Sequence, residues 1–273
     1  MLSGTRGAGT LFFAGCNLRC VYCQNHTISQ PDVVTRWPEA GPAALAQAMV
    51  SLAEQGVHCI ELVSPSHIVA QAVEALLLAA HQGLDLPLVY NSNGFEGAEA
   101  LRLLDGIVDV YLPDLKYGDD VPAARYSGVR GYLRHALPAL IEMKRQVGPL
   151  VVDQQGIARR GLIIRHLVLP HNLSATRAVL TFIAEELGRD THISLMAQYY
   201  PTHRAPKVPL LARTLRRPEY DQVLEWLDEL GLENGFVQDL DAEAHYRPDF
   251  ERNGHPFEGE TPEQRNPKPR PTS

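Results

Sequence analysis

Short apolar runs alternate along the chain with longer segments in which apolar residues recur every three or four positions. The short runs, such as VHCIELV, are rich in β-branched residues, as buried strands are. The longer segments have helical periodicity, and several end at a glycine. The predicted strands are residues 10–15, 57–63, 86–90, 107–112, 162–169 and 192–197. The predicted helices are residues 41–55, 67–81, 97–104, 131–146, 174–187 and 219–230.

Strands that alternate with helices favour a parallel sheet with helices outside it, and hence an α/β fold. Right-handed crossovers permit an open doubly wound sheet or a barrel, and periodicity does not decide between them. In both arrangements, ligand-binding groups gather at the carboxyl ends of the strands. The last residues are rich in proline and polar side chains, which predicts disorder. We therefore expect one domain over residues 1–240 and a disordered tail over 241–273.

Composition narrows the classes of partner. Apolar residues make up 45% and charged residues 21% of the 273 residues, as in ordinary globular proteins. The net charge of −7 argues against nucleic acid as the main partner. No run of 18 apolar residues occurs, so no membrane span is predicted. Three of the four cysteines lie within eight residues, and no secretion signal is recognisable, which favours a metal site in a cytoplasmic protein.

The cysteine cluster lies on the loop that follows the first predicted strand. Three thiolates, Cys16, Cys20 and Cys23, have a spacing that suits three corners of a [4Fe–4S] cube. Three protein ligands leave one iron open to a small molecule. Zinc held by the same three cysteines and His26 is an alternative, which would make the chain a structural or interaction protein. Cys59 lies within an apolar strand and is predicted to be a buried core residue.

The motif CNLRCVYC, residues 16–23, resembles the signature of the radical S-adenosylmethionine (radical SAM) superfamily. The longer segment GTLFFAGCNLRCVYCQN, residues 9–25, looks most like the pyruvate formate-lyase-activating-enzyme branch and its uncharacterised relatives. The resemblance implies a partial (β/α)6 TIM-like barrel with parallel strands, one [4Fe–4S] cluster and bound S-adenosylmethionine. It also implies reductive cleavage of S-adenosylmethionine to a 5′-deoxyadenosyl radical.

The same resemblance assigns residues to the methionine part of S-adenosylmethionine. Ser64 and Ser66 stand where relatives carry a Gly-Gly-Glu that receives the amino group. Two roles are open for them: they replace that motif as amino-group ligands, or they form only a turn and a helix cap. Asn91 and Ser92 belong to a turn that resembles the family's Asp-Thr-Asn-Gly. In that family this turn helps to hold a monovalent cation, and asparagine in place of aspartate removes one negative charge.

Further candidates follow the later strands. Asp114 and Lys116 match the family's Asp-Leu-Lys motif. Three roles are open for them: binding a monovalent cation, binding the methionine carboxylate, or forming a structural salt bridge. Arg165 lies in the fifth predicted strand, where a buried charge needs an anionic partner, and it matches an arginine that reaches toward the cofactor. The resemblance also places Gln198 near the adenosine. Two residues of the cysteine loop, Tyr22 and Asn25, are assigned in the same way to the adenine pocket. Ser174 is predicted to cap the helix that follows it.

The hydrogen donor is the least determined part of the prediction. The branch resemblance implies a glycyl-radical protein as substrate and an electron donor such as flavodoxin or ferredoxin. A radical SAM enzyme that acts on a small molecule or peptide is the alternative. With only Cys59 remaining, auxiliary clusters and cysteine-dependent methyl transfer are disfavoured. The first strand begins about nine residues into the chain, so we expect either an earlier start or an uncovered edge strand.

Overall fold

The computed structural model describes residues 2–240 and 248–250. The strands are β1 (Gly9–Phe12), β2 (Ile60–Val63), β3 (Leu88–Ser92), β4 (Val110–Pro113), β5 (Val151–Val152), β6 (Ala158–Leu167), β7 (His192–Met196) and β8 (Gly235–Val237). The helices are α1 (His26–Ser29), α2 (Pro42–Glu54), α3 (Val69–His81), α4 (Ala98–Leu104), α5 (Asp120–Ser127), α6 (Tyr132–Val147), α7 (Thr176–Phe182) and α8 (Arg217–Glu229). Except for residues 248–250, the predicted disordered tail lies outside the described residues.

The chain forms two compact units, and the first comprises Met1–Asn17, Pro31–Pro113 and His135–Ile163. Its strands β1, β2, β3 and β4 pair in that order, all in parallel. The first part of β6 pairs in parallel with β4, while the short β5 runs antiparallel to β6. The register places Asn91 of β3 beside Val63, at the carboxyl end of β2. The side chains that follow these strands therefore emerge at one edge of the unit's sheet.

The core of the first unit follows from the apolar strand runs. Cys59, Val89, Val110, Leu112 and Ile163 are almost completely buried in one cluster. Cys59 is 1% exposed, so its prediction as a core residue is confirmed. The same unit contains α3, whose apolar residues recur every three or four positions and form a buried stripe.

The second unit comprises Leu18–Gln30, Asp114–Arg134 and Ile164–Ser273. It contains the last part of β6 as well as β7 and β8, which pair in parallel. The backbone N–H of Val168, just after β6, donates to the carbonyl of Met196 at the end of β7. Gly235 in β8 has φ +138° and lies so close to β7 that an added Cβ would stand 2.0 Å from the carbonyl oxygen of Ile193. Strand pairing here depends on the absence of a side chain.

Several predicted boundaries need correction. Asn91 and Ser92 belong to β3 and not to a turn. Ser174 does not cap α7, because the N-cap residue is Ala175 with φ +50°, and the Ser174 hydroxyl contacts the N–H of Leu169 instead. The strands β5 and β8 and the helices α1 and α5 were not predicted.

Candidate cofactor site

The first cysteine of the motif lies in the first unit, on the loop after β1. The Cys16 thiol is 3.4 Å from the amide nitrogen of Asn93 and 3.8 Å from the side-chain oxygen of Asn17. Asn93 also donates to Asn17 at 2.5 Å, and Asn17 donates to the carbonyl of Phe95 at 2.8 Å. The turn after β3 therefore holds the loop that carries Cys16.

The other two motif cysteines lie in the second unit, and each has a hydroxyl beside its sulfur. The Cys20 thiol is 3.0 Å from the Ser127 hydroxyl, and the Cys23 thiol is 3.1 Å from the Ser29 hydroxyl. Hydroxyl and amide donors beside cysteine sulfurs are the groups that orient thiolate ligands and tune iron–sulfur clusters. In chemical type, a thiol with a polar neighbour fits the ligands of an iron–sulfur cluster.

The positions of the possible metal ligands do not themselves form a metal site. Across residues 2–240 and 248–250, no three His, Cys, Asp or Glu side chains are arranged to hold a metal ion. Ligation by the three cysteines therefore stays a prediction that depends on their spacing. The imidazole of His26, the fourth ligand of the zinc alternative, stacks on that of His203 with 5.0 Å between ring centroids.

Three predicted residues meet in an ion cluster of the second unit, around the buried carboxylate of Asp114. Asp114 accepts from the Arg165 guanidinium at 2.7 Å and from the Lys116 ammonium at 2.5 Å. The anionic partner predicted for Arg165 is therefore Asp114. Burial raises the pKa of Asp114, but the two cations outweigh it, and the pKa lies below its usual value. Burial lowers the pKa of Lys116, and the Asp114 carboxylate more than reverses this, so the ammonium stays charged.

A buried carboxyl that the sequence analysis missed lies in the first unit. Glu96 is 4% exposed and accepts from the hydroxyl of Ser66 at 2.5 Å and from that of Tyr90 at 3.5 Å. Burial raises its pKa to about 7, although hydrogen bonds from Ser66, Ser92 and Tyr90 lower it in part. Ser66 is not a helix cap, because the N-cap of α3 is Ile68. A glutamate two residues after the Asn-Ser-Asn-Gly segment was the available signal.

Two further predicted residues of the first unit, Ser64 and Asn91, are joined by a backbone hydrogen bond. Ser64 has φ +56°, and its N–H donates to the carbonyl of Asn91 at 2.8 Å. The Asn91 amide donates to Glu61 at 2.7 Å, and the same carboxylate accepts from Thr10 at 3.1 Å. Asn91 therefore belongs to a polar ladder across β1, β2 and β3, in which Glu61 supplies the negative charge.

Gln198 follows β7 in the second unit and belongs to an amide cluster. Its side-chain nitrogen donates to Gln24 at 3.2 Å, and its side-chain oxygen accepts from Gln238 at 2.8 Å. Gln24 in turn donates to the backbone carbonyl of Gln198 at 3.0 Å. The cysteine loop is thus fastened to the end of β7.

The two loop residues assigned to an adenine pocket have different surroundings. Tyr22 is buried, bonds through its hydroxyl to Tyr117 at 2.7 Å, and meets the ring of Tyr199 edge to face at 6.0 Å. Asn25 is the N-cap residue of α1 but makes no capping bond with its side chain. Contact of either residue with adenine stays a prediction.

A mostly parallel α/β fold with a three-cysteine loop directly after its first strand defines a cofactor-binding protein of the TIM-like type. The model of the Radical SAM superfamily matches residues 10–153, more than half of the chain, and the chain belongs to this superfamily. The superfamily resemblance seen in the motif is therefore confirmed. The family implies a [4Fe–4S] cluster and S-adenosylmethionine. Within the described residues, no helix combines the length and the apolar character that a membrane crossing needs.

Known proteins similar to this chain include an archaeal relative and two solved structures. Uncharacterized protein MJ0674 of Methanocaldococcus jannaschii is 29% identical over 231 residues, which is 82% of this chain but only 63% of the relative. The structure of HydG, a maturase of the [FeFe]-hydrogenase, has a TM-score of 0.55 at 10% sequence identity. The match covers 85% of this chain and 52% of the HydG chain. The structure of methylornithine synthase (PylB) has a TM-score of 0.52 at 12% sequence identity. The match covers 94% of this chain and 77% of the PylB chain.

These likenesses to solved structures concern the fold alone, and they confirm the predicted α/β class. A domain of a pyruvate-formate lyase-activating enzyme from Bacteroides vulgatus also matches, with a TM-score of 0.46, 16% identity, and coverage of 64% of this chain and 94% of that one. The activating-enzyme branch therefore depends on the motif resemblance.

Proposed function

We propose that Cys16, Cys20 and Cys23 hold one [4Fe–4S] cluster and that the protein reductively cleaves S-adenosylmethionine. The observation that carries this proposal is the three-cysteine motif inside the matched family region. When bound, the cluster supplies the electron that breaks the carbon–sulfur bond of the sulfonium. The remaining residues of the site bind and orient the methionine part.

The ion cluster of the second unit suits the methionine carboxylate. Asp114 carries one negative charge, while Arg165 and Lys116 carry one positive charge each. The three side chains therefore sum to one positive charge around a carboxylate that is shielded from water, which supports an anionic ligand at this position. The same balance does not favour a monovalent cation beside Asp114, which the resemblance implied.

The buried carboxyl of the first unit suits the methionine amino group. Among the described residues Glu96 has hydroxyl donors but no ion pair. A buried carboxylate without a counter-charge is unfavourable, and a bound ammonium group would relieve that cost. Ser66, which replaces the family's glutamate, would then act by holding Glu96, and Glu96 would supply the missing negative charge.

We further propose that the hydrogen donor is a backbone glycine of a glycyl-radical protein, with a flavodoxin or ferredoxin as electron donor. This part is supported by the resemblance of residues 9–25 to the activating-enzyme branch. Deuterium placed on the glycine of a candidate partner should then appear in 5′-deoxyadenosine. Transfer from a small molecule or from a different residue type would contradict it.

The proposal is tested by anaerobic reconstitution with iron and sulfide. The wild type should be brown, with about four iron and four sulfide per chain, and should form 5′-deoxyadenosine with a strong reductant. Cys20→Ala should lose colour and product. Cys59→Ala is the matched control, because Cys59 is buried in the core outside the motif, and it should retain both. Stoichiometric zinc without sulfide in the wild type would contradict the proposal.

A further inference from the structure

A chain of buried hydroxyl groups ends on the sulfur of Cys20 in the second unit. The Tyr22 and Tyr117 hydroxyls are 2.7 Å apart, and the Tyr117 hydroxyl is 2.7 Å from that of Ser127. The Ser127 hydroxyl is in turn 3.0 Å from the Cys20 sulfur. Tyr117 and Ser127 are completely buried, and Tyr22 and Cys20 nearly so. These groups bond to one another where water has little access.

Ligation by Cys20 would fix the direction of every hydrogen bond in this chain. A ligating thiolate has no hydrogen and can only accept, so Ser127 must donate to Cys20. The Ser127 oxygen then accepts from Tyr117, and the Tyr117 oxygen accepts from Tyr22. A tyrosine side chain keeps its hydroxyl hydrogen at neutral pH, so both tyrosines can donate in this order. Aligned hydrogen bonds polarise one another, which strengthens the last bond to sulfur.

We propose that Ser127, Tyr117 and Tyr22 are positioning residues that raise the reduction potential of the iron–sulfur cluster bound through Cys20. This inference rests on the cluster assignment of the proposed function. Reduction adds one electron to the cluster and makes its sulfurs more negative. A donor aimed at the Cys20 sulfur stabilises that reduced form more than the oxidised form, and hydrogen bonds to sulfur are among the groups that set cluster potentials.

Hydroxyl removal separates this role from packing. Tyr117→Phe and Tyr22→Phe keep the rings, including the edge-to-face contacts of Tyr117 with Tyr132 and of Tyr22 with Tyr199. Ser127→Ala removes the direct donor. The matched control is Tyr220→Phe, because the buried Tyr220 hydroxyl of the same unit donates to a backbone carbonyl and not to this chain.

The test is an anaerobic redox titration of the reconstituted holoproteins, with one-electron reduction followed by electron paramagnetic resonance. Ser127→Ala should shift the potential most toward negative values, Tyr117→Phe less and Tyr22→Phe least, while Tyr220→Phe leaves it unchanged. Resonance Raman should show a higher iron–cysteine stretching frequency in Ser127→Ala, because a lost hydrogen bond strengthens that iron–sulfur bond.

The outcomes distinguish this inference from the proposed function. A wild type without a cluster overturns the cluster assignment and this inference with it. Variants that assemble the cluster with the wild-type potential overturn the inference alone, as does an equal shift in Tyr220→Phe. If Ser127→Ala assembles no cluster, the two tyrosine variants decide, and unchanged potentials in both overturn it.

Discussion

Replacing Glu96 by glutamine should make the protein's stability less sensitive to pH. The folded state holds the proton of Glu96 up to a pKa of about 7, whereas the ordinary value is 4.5. Between these values the folded protein binds a proton that the unfolded chain has lost, so a rising pH favours unfolding. The gap of about 2.5 in pKa, at about 1.36 kcal/mol per unit, corresponds to about 3 kcal/mol.

The assay is anaerobic urea unfolding of the wild type and Glu96→Gln at pH 5 and pH 8. Relative to the variant, the wild type should lose about 2 to 3 kcal/mol of unfolding free energy between the two pH values. Burial lowers the pKa of His166 to about 4, which makes stability rise with pH over part of the same window. Because both proteins contain His166, its contribution cancels in the comparison.

Bound S-adenosylmethionine provides the link to function. An ammonium group beside Glu96 would favour its ionised form, so a saturating amount should reduce the pH dependence of the wild-type holoprotein. A stability difference between wild type and variant that stays constant within about 0.5 kcal/mol from pH 5 to pH 8 would show that the pKa of Glu96 is not raised in the folded protein.

Two further substitutions test the ion cluster and the strand pairing by urea unfolding. Arg165→Met should lower the free energy of unfolding by about 2 to 3 kcal/mol, because Asp114 stays buried with one cation fewer. The control Arg102→Met breaks an exposed ion pair and should lower it by less than about 1 kcal/mol. Equal losses would contradict the explanation by burial. Gly235→Ala should lower the free energy of unfolding by about 3 kcal/mol or more, since the added Cβ would stand 2.0 Å from a carbonyl oxygen. The control Gly56→Ala has φ +80° but no atom within 4 Å of the added Cβ, and it should lose about 1 kcal/mol. Similar losses would show that the close approach of the strands does not determine the loss of stability.

The sequence predicted the α/β alternation because buried parallel strands are continuous apolar runs separated by helices with their own period. It missed β5 and β8, since elements of two or three residues leave too little pattern. Helix starts were displaced for a different reason. Ser66 and Ser174 are good capping residues in general, but here the Ser66 hydroxyl donates to Glu96 and the Ser174 hydroxyl accepts from the N–H of Leu169.

The candidate site was predictable where chemistry requires a particular residue type. A charged residue in an apolar strand demands a partner, and Arg165 has one in Asp114. Glu96 could not be found in this way, because Ser66, whose hydroxyl donates to its carboxyl, lies 30 positions away in the sequence. The hydroxyl chain to Cys20 likewise joins Tyr22 to Tyr117, residues 95 positions apart.

The most direct test of the central claim is electron paramagnetic resonance of the reduced, reconstituted protein before and after S-adenosylmethionine is added. The reduced protein should give a [4Fe–4S] signal whose g-values change on addition, because three cysteines leave one iron available to the methionine part. A signal that does not respond, or a colourless protein that contains zinc, would contradict it.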